Sequence, residues 1–105
     1  MTDQVDEVIV ALADPLRRQL LERLSRLGSA SATTLAEHLP VTRQAVVKHL
    51  VVLDRAGLVS GGRQGREVRY AVRPEALLAT AEWMRRVAAD WDSRLSAIKR
   101  LAEGG

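Results

Sequence analysis

The sequence predicts a mainly α-helical fold that carries one small β-hairpin. Apolar residues recur at helical spacing in the first half of the chain and again towards its C-terminus. Between these regions, two short runs with strand-like alternation surround Gly65. A chain of 105 residues with 47% apolar content can form one domain with a modest core. We therefore expect a single domain over residues 1–105.

The composition excludes several classes of protein. The sequence has no cysteine, so disulfides, thiolate metal sites and cysteine nucleophiles are ruled out. It has no stretch of about 18 apolar residues, and Asp3, Asp6 and Glu7 stand where a signal peptide would be basic. No nucleophile is paired with a base and an orienting residue. We expect a cytoplasmic protein that is not an enzyme.

The first two predicted helices meet at Asp14 and Pro15. A first helix from about Gln4 to Leu12 ends there, because Asp14 can cap the next helix and Pro15 fits its first turn. Gly28 stands where a left-handed residue would terminate the second helix. Leucines at near-ideal intervals along this second helix are expected in the core: Leu16, Leu20, Leu24 and Leu27.

Two short helices follow, close enough to form a helix-turn-helix over residues 31–57. The third helix is predicted from Ser31 to Leu39, because the residue before Pro40 avoids helical angles. Thr42 is expected to cap the fourth helix. Two short helices separated by so few residues must cross steeply. The inner stripe of the fourth helix is predicted to comprise Val46, Leu50 and Leu53.

A β-hairpin is predicted over residues 58–73. Its strands are expected at 58–62 and 67–72, joined by a connection in which Gly65 can adopt a positive backbone angle. Apolar residues alternate with mostly charged ones in the second strand, so one of its faces should be apolar.

The last predicted helix, over residues 75–102, would be roughly 40 Å long at about 1.5 Å per residue. Its apolar residues recur in steps of four and three, as in a heptad repeat. So small a domain cannot cover a stripe of this length, which makes a second copy the natural partner. Trp83 lies one place before the stripe, where it either packs or lines a small-molecule pocket. The predicted dimer interface contains Met84, Ala88, Trp91, Leu95 and Ile98.

Positive charge is concentrated between residues 42 and 73. This segment contains seven cations and two anions, whereas the rest of the chain carries a net charge of −2 within a total of +3. A basic segment on a nearly neutral body is expected of a protein that binds a polyanion such as DNA. An ordinary solvated surface is the alternative.

The order of these elements resembles the ArsR/SmtB family of winged helix-turn-helix repressors. Three strings carry the likeness: ALADPLRRQLLERL (11–24), LAEHLPVTRQAVVKHLVVLDRAGLV (35–59) and GGRQGREVRYAV (61–72). Members are typically homodimers that bind palindromic operators near their own promoters and release them when an inducer arrives. The resemblance implies a winged helix-turn-helix with a long C-terminal dimerisation helix, and a dimeric repressor of its own or an adjacent operon. The fourth helix would enter the major groove, and the hairpin would serve as the wing. The resemblance also allows a small-molecule inducer, which the sequence does not identify.

The residues that bind metal in the metal-sensing members are missing. Ser31 and Thr33 stand where such sensors have cysteines, and no histidine follows His49. Asp90 and Asp92 are two residues apart on a helix and point in different directions, which makes a poor metal site. We expect no metal and no cofactor, as in the cysteine-free members of the family.

The outer face of the fourth helix is predicted to contact the major groove. Arginine or lysine can grip guanine O6 and N7, glutamine can pair with adenine, and valine can touch a thymine methyl. Thr42 is expected first as a helix cap, with its backbone near a phosphate. The alternative is a merely solvated helix face. The predicted residues are Thr42, Arg43, Gln44, Val47 and Lys48.

Arginines of the hairpin are predicted to contact phosphates or the minor groove, with Arg66 at the tip as the first choice. The alternative for such an arginine is that it pairs with Glu67 or only keeps the edge of the hairpin soluble. His49 is expected to be a hydrogen-bonded structural residue or a contact to the DNA backbone. The predicted set is His49, Arg63, Arg66 and Arg69.

Two other functions stay compatible with the sequence. One is a winged-helix module that binds protein partners, although the basic wing counts against it. The other is a metal-responsive repressor with oxygen and nitrogen ligands. Activation instead of repression is also compatible.

Overall fold

The computed structural model describes residues 3–104. The predicted domain over 1–105 also includes Met1, Thr2 and Gly105, which lie outside this range. The mainly α-helical class with a small sheet is confirmed. The elements are α1 (Gln4–Leu12), α2 (Pro15–Leu27), β1 (Ala30–Ser31), α3 (Ala32–Ala36), α4 (Arg43–Arg55), β2 (Val59–Gln64), β3 (Glu67–Val72) and α5 (Pro74–Gly104).

Side-chain caps and glycines set the helix ends. The Asp14 carboxylate accepts hydrogen bonds from two backbone N–H groups at the start of α2, the shorter at 2.8 Å. Thr42 Oγ1 accepts the N–H three residues later at 3.1 Å and so starts α4 as predicted. Gly28 and Gly57 follow α2 and α4 with φ angles of +83° and +79°, which residues with a Cβ atom rarely adopt.

α3 is shorter than the helix predicted over residues 31–39. Ser31 caps it and Ala36 ends it. The next two backbone hydrogen bonds each reach the carbonyl three residues back, at 3.3 Å. Such bonds tighten the chain into a turn, and the residue before Pro40 avoids helical angles. The turn between α3 and α4 is therefore longer than predicted.

β1, β3 and β2 form an antiparallel sheet in that order. β2 and β3 are the predicted hairpin, but β2 runs two residues further than expected, up to Gln64. The connection is the two-residue turn Gly65-Arg66, in which Gly65 has a φ angle of +63°. The sequence did not predict β1, because a strand of two residues is too short to show an alternating pattern.

The core lies between α1, α2, α3 and α4 and the start of β2. Leu20 and Leu24 of α2 are fully buried as predicted, whereas Leu16 is half-buried and Leu27 is 57% exposed. The prediction for Leu27 was wrong because the described neighbouring elements cover Leu24 but do not reach the last residue of α2. The large side chains that are fully buried are Val8, Leu20, Leu24, Leu35, Val46, Leu50, Leu53, Leu58 and Val59.

α5 packs on the rest of the domain only near its start. Ala76 and Thr80 are buried, and α5 contacts α1 there. From residue 81 onward almost every side chain is exposed, and the longest dimension of the chain is 70 Å. The helix therefore projects from the body as a rod. Within residues 3–104, no helix is both long enough and apolar enough to cross a bilayer.

Leu24→Ala should lower the free energy of unfolding by about 2–5 kcal/mol, because it leaves a cavity in the core. Leu27→Ala makes the same change three residues later in the same helix and should cost only about 0.5 kcal/mol. Urea denaturation followed by circular dichroism, at one protein concentration, measures both. Equal losses for the two variants would contradict the burial described here.

Asp14 should make the stability of the protein depend on pH. The backbone N–H of Leu16, more than any other group, holds the pKa of Asp14 below its ordinary value of 3.8, and the Arg17 backbone and guanidinium add to this. A carboxylate with a lowered folded-state pKa stabilises the protein above the unfolded-state value, and this contribution is lost as pH falls. Asp14→Ala should therefore lose stability less steeply than wild type as pH is lowered below about 4. Urea denaturation midpoints of wild type and Asp14→Ala, measured across this pH interval, test the prediction. The two proteins would show the same dependence on pH if Asp14 had no such role.

Candidate nucleic-acid interface

The two sides of α4 differ as predicted. Val46, Leu50 and Leu53 are fully buried on the inner side. On the outer side, Thr42, Arg43, Gln44 and Lys48 are exposed. Val47, which was predicted with this outer group, is half-buried and packs against the edge of the core. The helix thus presents a polar, cationic surface whose position is fixed by its buried side.

Arg43 is held by the helix that precedes it. Its Nε donates a hydrogen bond to Thr33 Oγ1 of α3 at 3.2 Å, although both side chains are exposed. This bond spans the turn of the helix-turn-helix. The sequence predicted Arg43 as a surface residue but gave no sign of this partner, because the bond depends on how steeply α3 and α4 cross.

A cleft separates the start of α4 from the hairpin. It has a volume of about 420 Å³, and its lining includes Thr33, Arg43, Val47, Arg66 and Tyr70. The lining also includes the Glu67 carboxylate. Two cations and three hydroxyl-bearing side chains, Ser31 among them, face this concave surface, which we call the wing cleft. Groups of this kind bind phosphate oxygens and base edges.

The hairpin arginines divide into two kinds. Arg63 and Arg66 are exposed near the tip, and neither side chain makes an ion pair or hydrogen bond within residues 3–104. Arg69 is 34% exposed and donates to Ser29 from Nε to Oγ at 3.2 Å and from Nη2 to the carbonyl at 3.0 Å. Its Nη1 also lies 3.6 Å from Glu67 Oε2. Arg69 therefore ties the hairpin to the segment before β1.

His49 lies on the flank of α4 and contacts α2. The Arg17 side chain is 16% exposed, its Nη1 lies 3.4 Å from His49 Nδ1, and its Nε donates to the Ala11 carbonyl at 2.5 Å. Arginine can only donate, so Nδ1 is the atom that accepts in this hydrogen bond. The contact is of the kind expected for a hydrogen-bonded structural histidine, and a contact of His49 with the DNA backbone stays a prediction. Arg17 was missed, since nothing in the sequence pattern pairs it with a residue so distant in the chain.

The apolar stripe of α5 is uncovered in the single chain. Met84, Trp91, Leu95 and Ile98 are between 52% and 60% exposed, and Ala88 is exposed as well. These residues follow one face of the projecting rod, as their spacing predicted. Within residues 3–104 no cluster of three or more histidine, aspartate or glutamate side chains has the arrangement of a metal site.

Trp83 is partly exposed, and it lines neither the wing cleft nor the cavity beside Trp91 on α5. A groove of about 320 Å³ lies between α1 and α4, and its lining includes Asp6, Glu7, Val10, Val52 and Arg55. That Trp83 packs in the assembled protein, or that it lines a small-molecule pocket there, stay alternative predictions.

Comparison with known proteins gives consistent matches. A family model described as a helix-turn-helix domain matches residues 12–61. The transcriptional repressor SdpR of Bacillus subtilis is 30% identical over 80 residues, which cover 76% of this chain and 88% of that protein. The matched region of the family model contains α2, α3, α4 and the start of β2.

Solved structures match over nearly the whole chain. A homodimeric winged helix-turn-helix DNA-binding domain from Mycobacterium bovis, described as a possible ArsR-family regulator, has a TM-score of 0.64 and 27% identity, over 90% of this chain and 84% of that one. An ArsR-like transcriptional regulator from Rhodococcus sp. RHA1 superimposes with a TM-score of 0.83 and 43% identity, over 97% of this chain and 95% of that one. Because likeness in sequence and fold extends from α1 to α5, the chain belongs to the ArsR family of helix-turn-helix transcriptional regulators.

Proposed function

We propose that this protein is a homodimeric, sequence-specific repressor that acts in the cytoplasm on a palindromic operator at its own or an adjacent operon. The observation that carries the proposal is that α4 has a buried apolar side and an exposed side with Arg43, Gln44 and Lys48. An exposed, donor-rich helix of this length fits the major groove of B-form DNA.

The exposed side of α4 supplies the chemistry for base contacts. Arg43 and Lys48 can donate to guanine O6 and N7, and Gln44 can pair with adenine. Thr42 caps the helix, and the free N–H groups of the first turn favour a nearby phosphate. Because Val47 is half-buried, only part of its side chain is available to a thymine methyl.

The wing supplies contacts to the DNA backbone. Arg63 and Arg66 project near the hairpin tip, where they can bind phosphates or enter the minor groove. Arg69 and His49 were predicted in the same role. Their hydrogen bonds with Ser29 and Arg17 favour a different one, in which they fix the wing and α4 in place.

The exposed stripe of α5 supports the proposed dimer. A run of large apolar residues on a projecting helix is a surface that monomers rarely leave in water. Pairing of two such helices would bury Trp91, Leu95 and Ile98 between copies. The M. bovis relative is homodimeric, and SdpR is a repressor, which supports both parts of the proposal. Two α4 helices would then meet successive major grooves, roughly 34–36 Å apart.

Footprinting of the DNA upstream of the gene tests the proposal. We expect one protected region with two related half-sites, bound in the presence of excess random-sequence DNA. Equal affinity for the upstream fragment and for a random duplex at physiological salt would refute sequence-specific repression. Expression of a reporter from the upstream region should rise when the gene is deleted, and a fall would indicate activation.

Lys48→Ala and Arg66→Ala should weaken DNA binding in different ways. Loss of Lys48 removes a base contact, so it should relax preference at one position of each half-site by about tenfold. Loss of Arg66 removes a phosphate contact, so affinity should fall for every sequence and the slope of log K against log salt should decrease by about one. Fluorescence anisotropy at several salt concentrations, with operator and random duplexes, separates the two effects.

Arg26→Ala is the matched control for charge, because it removes an exposed cation of α2 that lies outside the basic segment. It should leave both base preference and salt slope close to wild type. If all three variants changed binding in the same way, the proposed roles of α4 and the wing would be wrong.

Leu95→Glu should convert the dimer to a monomer and abolish operator binding together, because the buried charge opposes pairing and the half-sites must be held at one spacing. Ser93→Glu adds the same charge on the opposite side of α5 and should do neither. Sedimentation velocity and gel shifts measure both properties. A monomeric Leu95→Glu protein with undiminished operator affinity would contradict the proposed dimer.

A further inference from the structure

We propose that Thr33 is a positioning residue that holds Arg43 for the recognition of guanine. This inference rests on the proposed function, since it assumes that the outer face of α4 contacts base edges. It assigns to α3 a part in sequence preference, in addition to its part in supporting α4.

The hydrogen bond between the two residues leaves a defined set of donors. Arg43 Nε is directed at Thr33 Oγ1, and Arg43 makes no other side-chain hydrogen bond or ion pair within residues 3–104. The N–H groups on Nη1 and Nη2 stay available at the far end of the guanidinium. Two parallel N–H donors match guanine O6 and N7, which is the commonest specific contact in the major groove.

Thr33 stands on a rigid base. Its neighbours Ala32 and Leu35 are buried in the core. Ser31 Oγ accepts the backbone N–H of Thr34 at 3.2 Å, and Ser31 also pairs with Arg69 of β3. The backbone that carries Thr33 is therefore fixed relative to the sheet, and the short β-branched side chain places its hydroxyl where Arg43 Nε reaches it.

A free arginine side chain samples many rotamers, and binding to a base restricts it to one of them. A hydrogen bond that already selects one orientation lowers this ordering cost for the matching base. The same hydrogen bond makes the Arg43 guanidinium less able to adapt to another base. The difference in affinity between sequences therefore increases. The expected effect of Thr33 is thus on preference for guanine more than on affinity for DNA in general.

Thr34 gives a matched control. It is the same residue type, one position later on the same helix, but its Oγ1 accepts a hydrogen bond from Ser31 Oγ at 3.1 Å and not from Arg43. Thr34→Val therefore makes the same chemical change to α3 without touching the bond under test.

The experiment is selection of binding sites from a randomised duplex by the full-length wild-type protein and by Thr33→Val, Thr33→Ser, Thr34→Val and Arg43→Ala. Wild type should prefer guanine at one symmetry-related pair of positions, and Arg43→Ala should lose that preference. Thr33→Val should reduce it by about tenfold with an unchanged salt slope. Thr33→Ser, which keeps the hydroxyl, and Thr34→Val should both retain it. Melting temperatures check that each variant is folded.

A double variant completes the test. Thr33→Val combined with Arg43→Ala should show the same base preference as Arg43→Ala alone, because both changes act through one contact. Additive losses, an unaltered preference in Thr33→Val, or an even loss of affinity with a smaller salt slope would each overturn the inference. The last result would mean that Thr33 binds a phosphate itself. If wild type selects no sequence, the proposed function fails as well, whereas a selective wild type with an unaffected Thr33→Val overturns only the role of Thr33.

Discussion

The structure depends on the burial of one side of α4. Val46, Leu50 and Leu53 are fully buried, and α4 contacts α1, α2, α3 and β2 around them. Each such side chain contributes about 1.5–3 kcal/mol when it is removed from water. Rotation of the helix would expose these three core side chains and is therefore strongly unfavourable. The outer face is therefore fixed towards solvent by packing alone. Arg43, Gln44 and Lys48 have their positions set by residues that never contact a ligand.

Helical periodicity predicted this division of α4, because a stripe that recurs every three or four residues defines a face without reference to the rest of the chain. The features that escaped prediction depend on contacts between distant segments. β1 exists because two residues meet the middle of β3. Leu27 belongs to the same apolar stripe of α2 as Leu24, but the neighbouring elements do not cover it. Local pattern thus determines which face of a helix is apolar, and tertiary contacts determine how much of that face is covered.

The same distinction applies to the cations of the site. A count of charges does not distinguish Arg66, Arg69 and Arg17. Arg66 projects from the wing, whereas Arg69 donates to Ser29. Arg17 extends from α2 to the end of α1 and to His49 of α4. A guanidinium that is engaged by carbonyl groups is not available to a phosphate. The net charge of a segment therefore indicates the class of partner, whereas the hydrogen bonds of each arginine indicate which ones can contact it.

The rod formed by α5 and the exposed face of α4 are connected by packed contacts. The start of α5 is buried through Ala76 and Thr80 against α1. The far end of α1 accepts a hydrogen bond from Arg17, which also meets His49 on α4. The connections are also short, with two residues between α1 and α2 and one residue between β3 and α5. In the proposed dimer, the distance and angle between the two α4 helices would follow from the pairing of α5, because each body is rigidly joined to its rod. An operator with a fixed half-site spacing requires this rigidity.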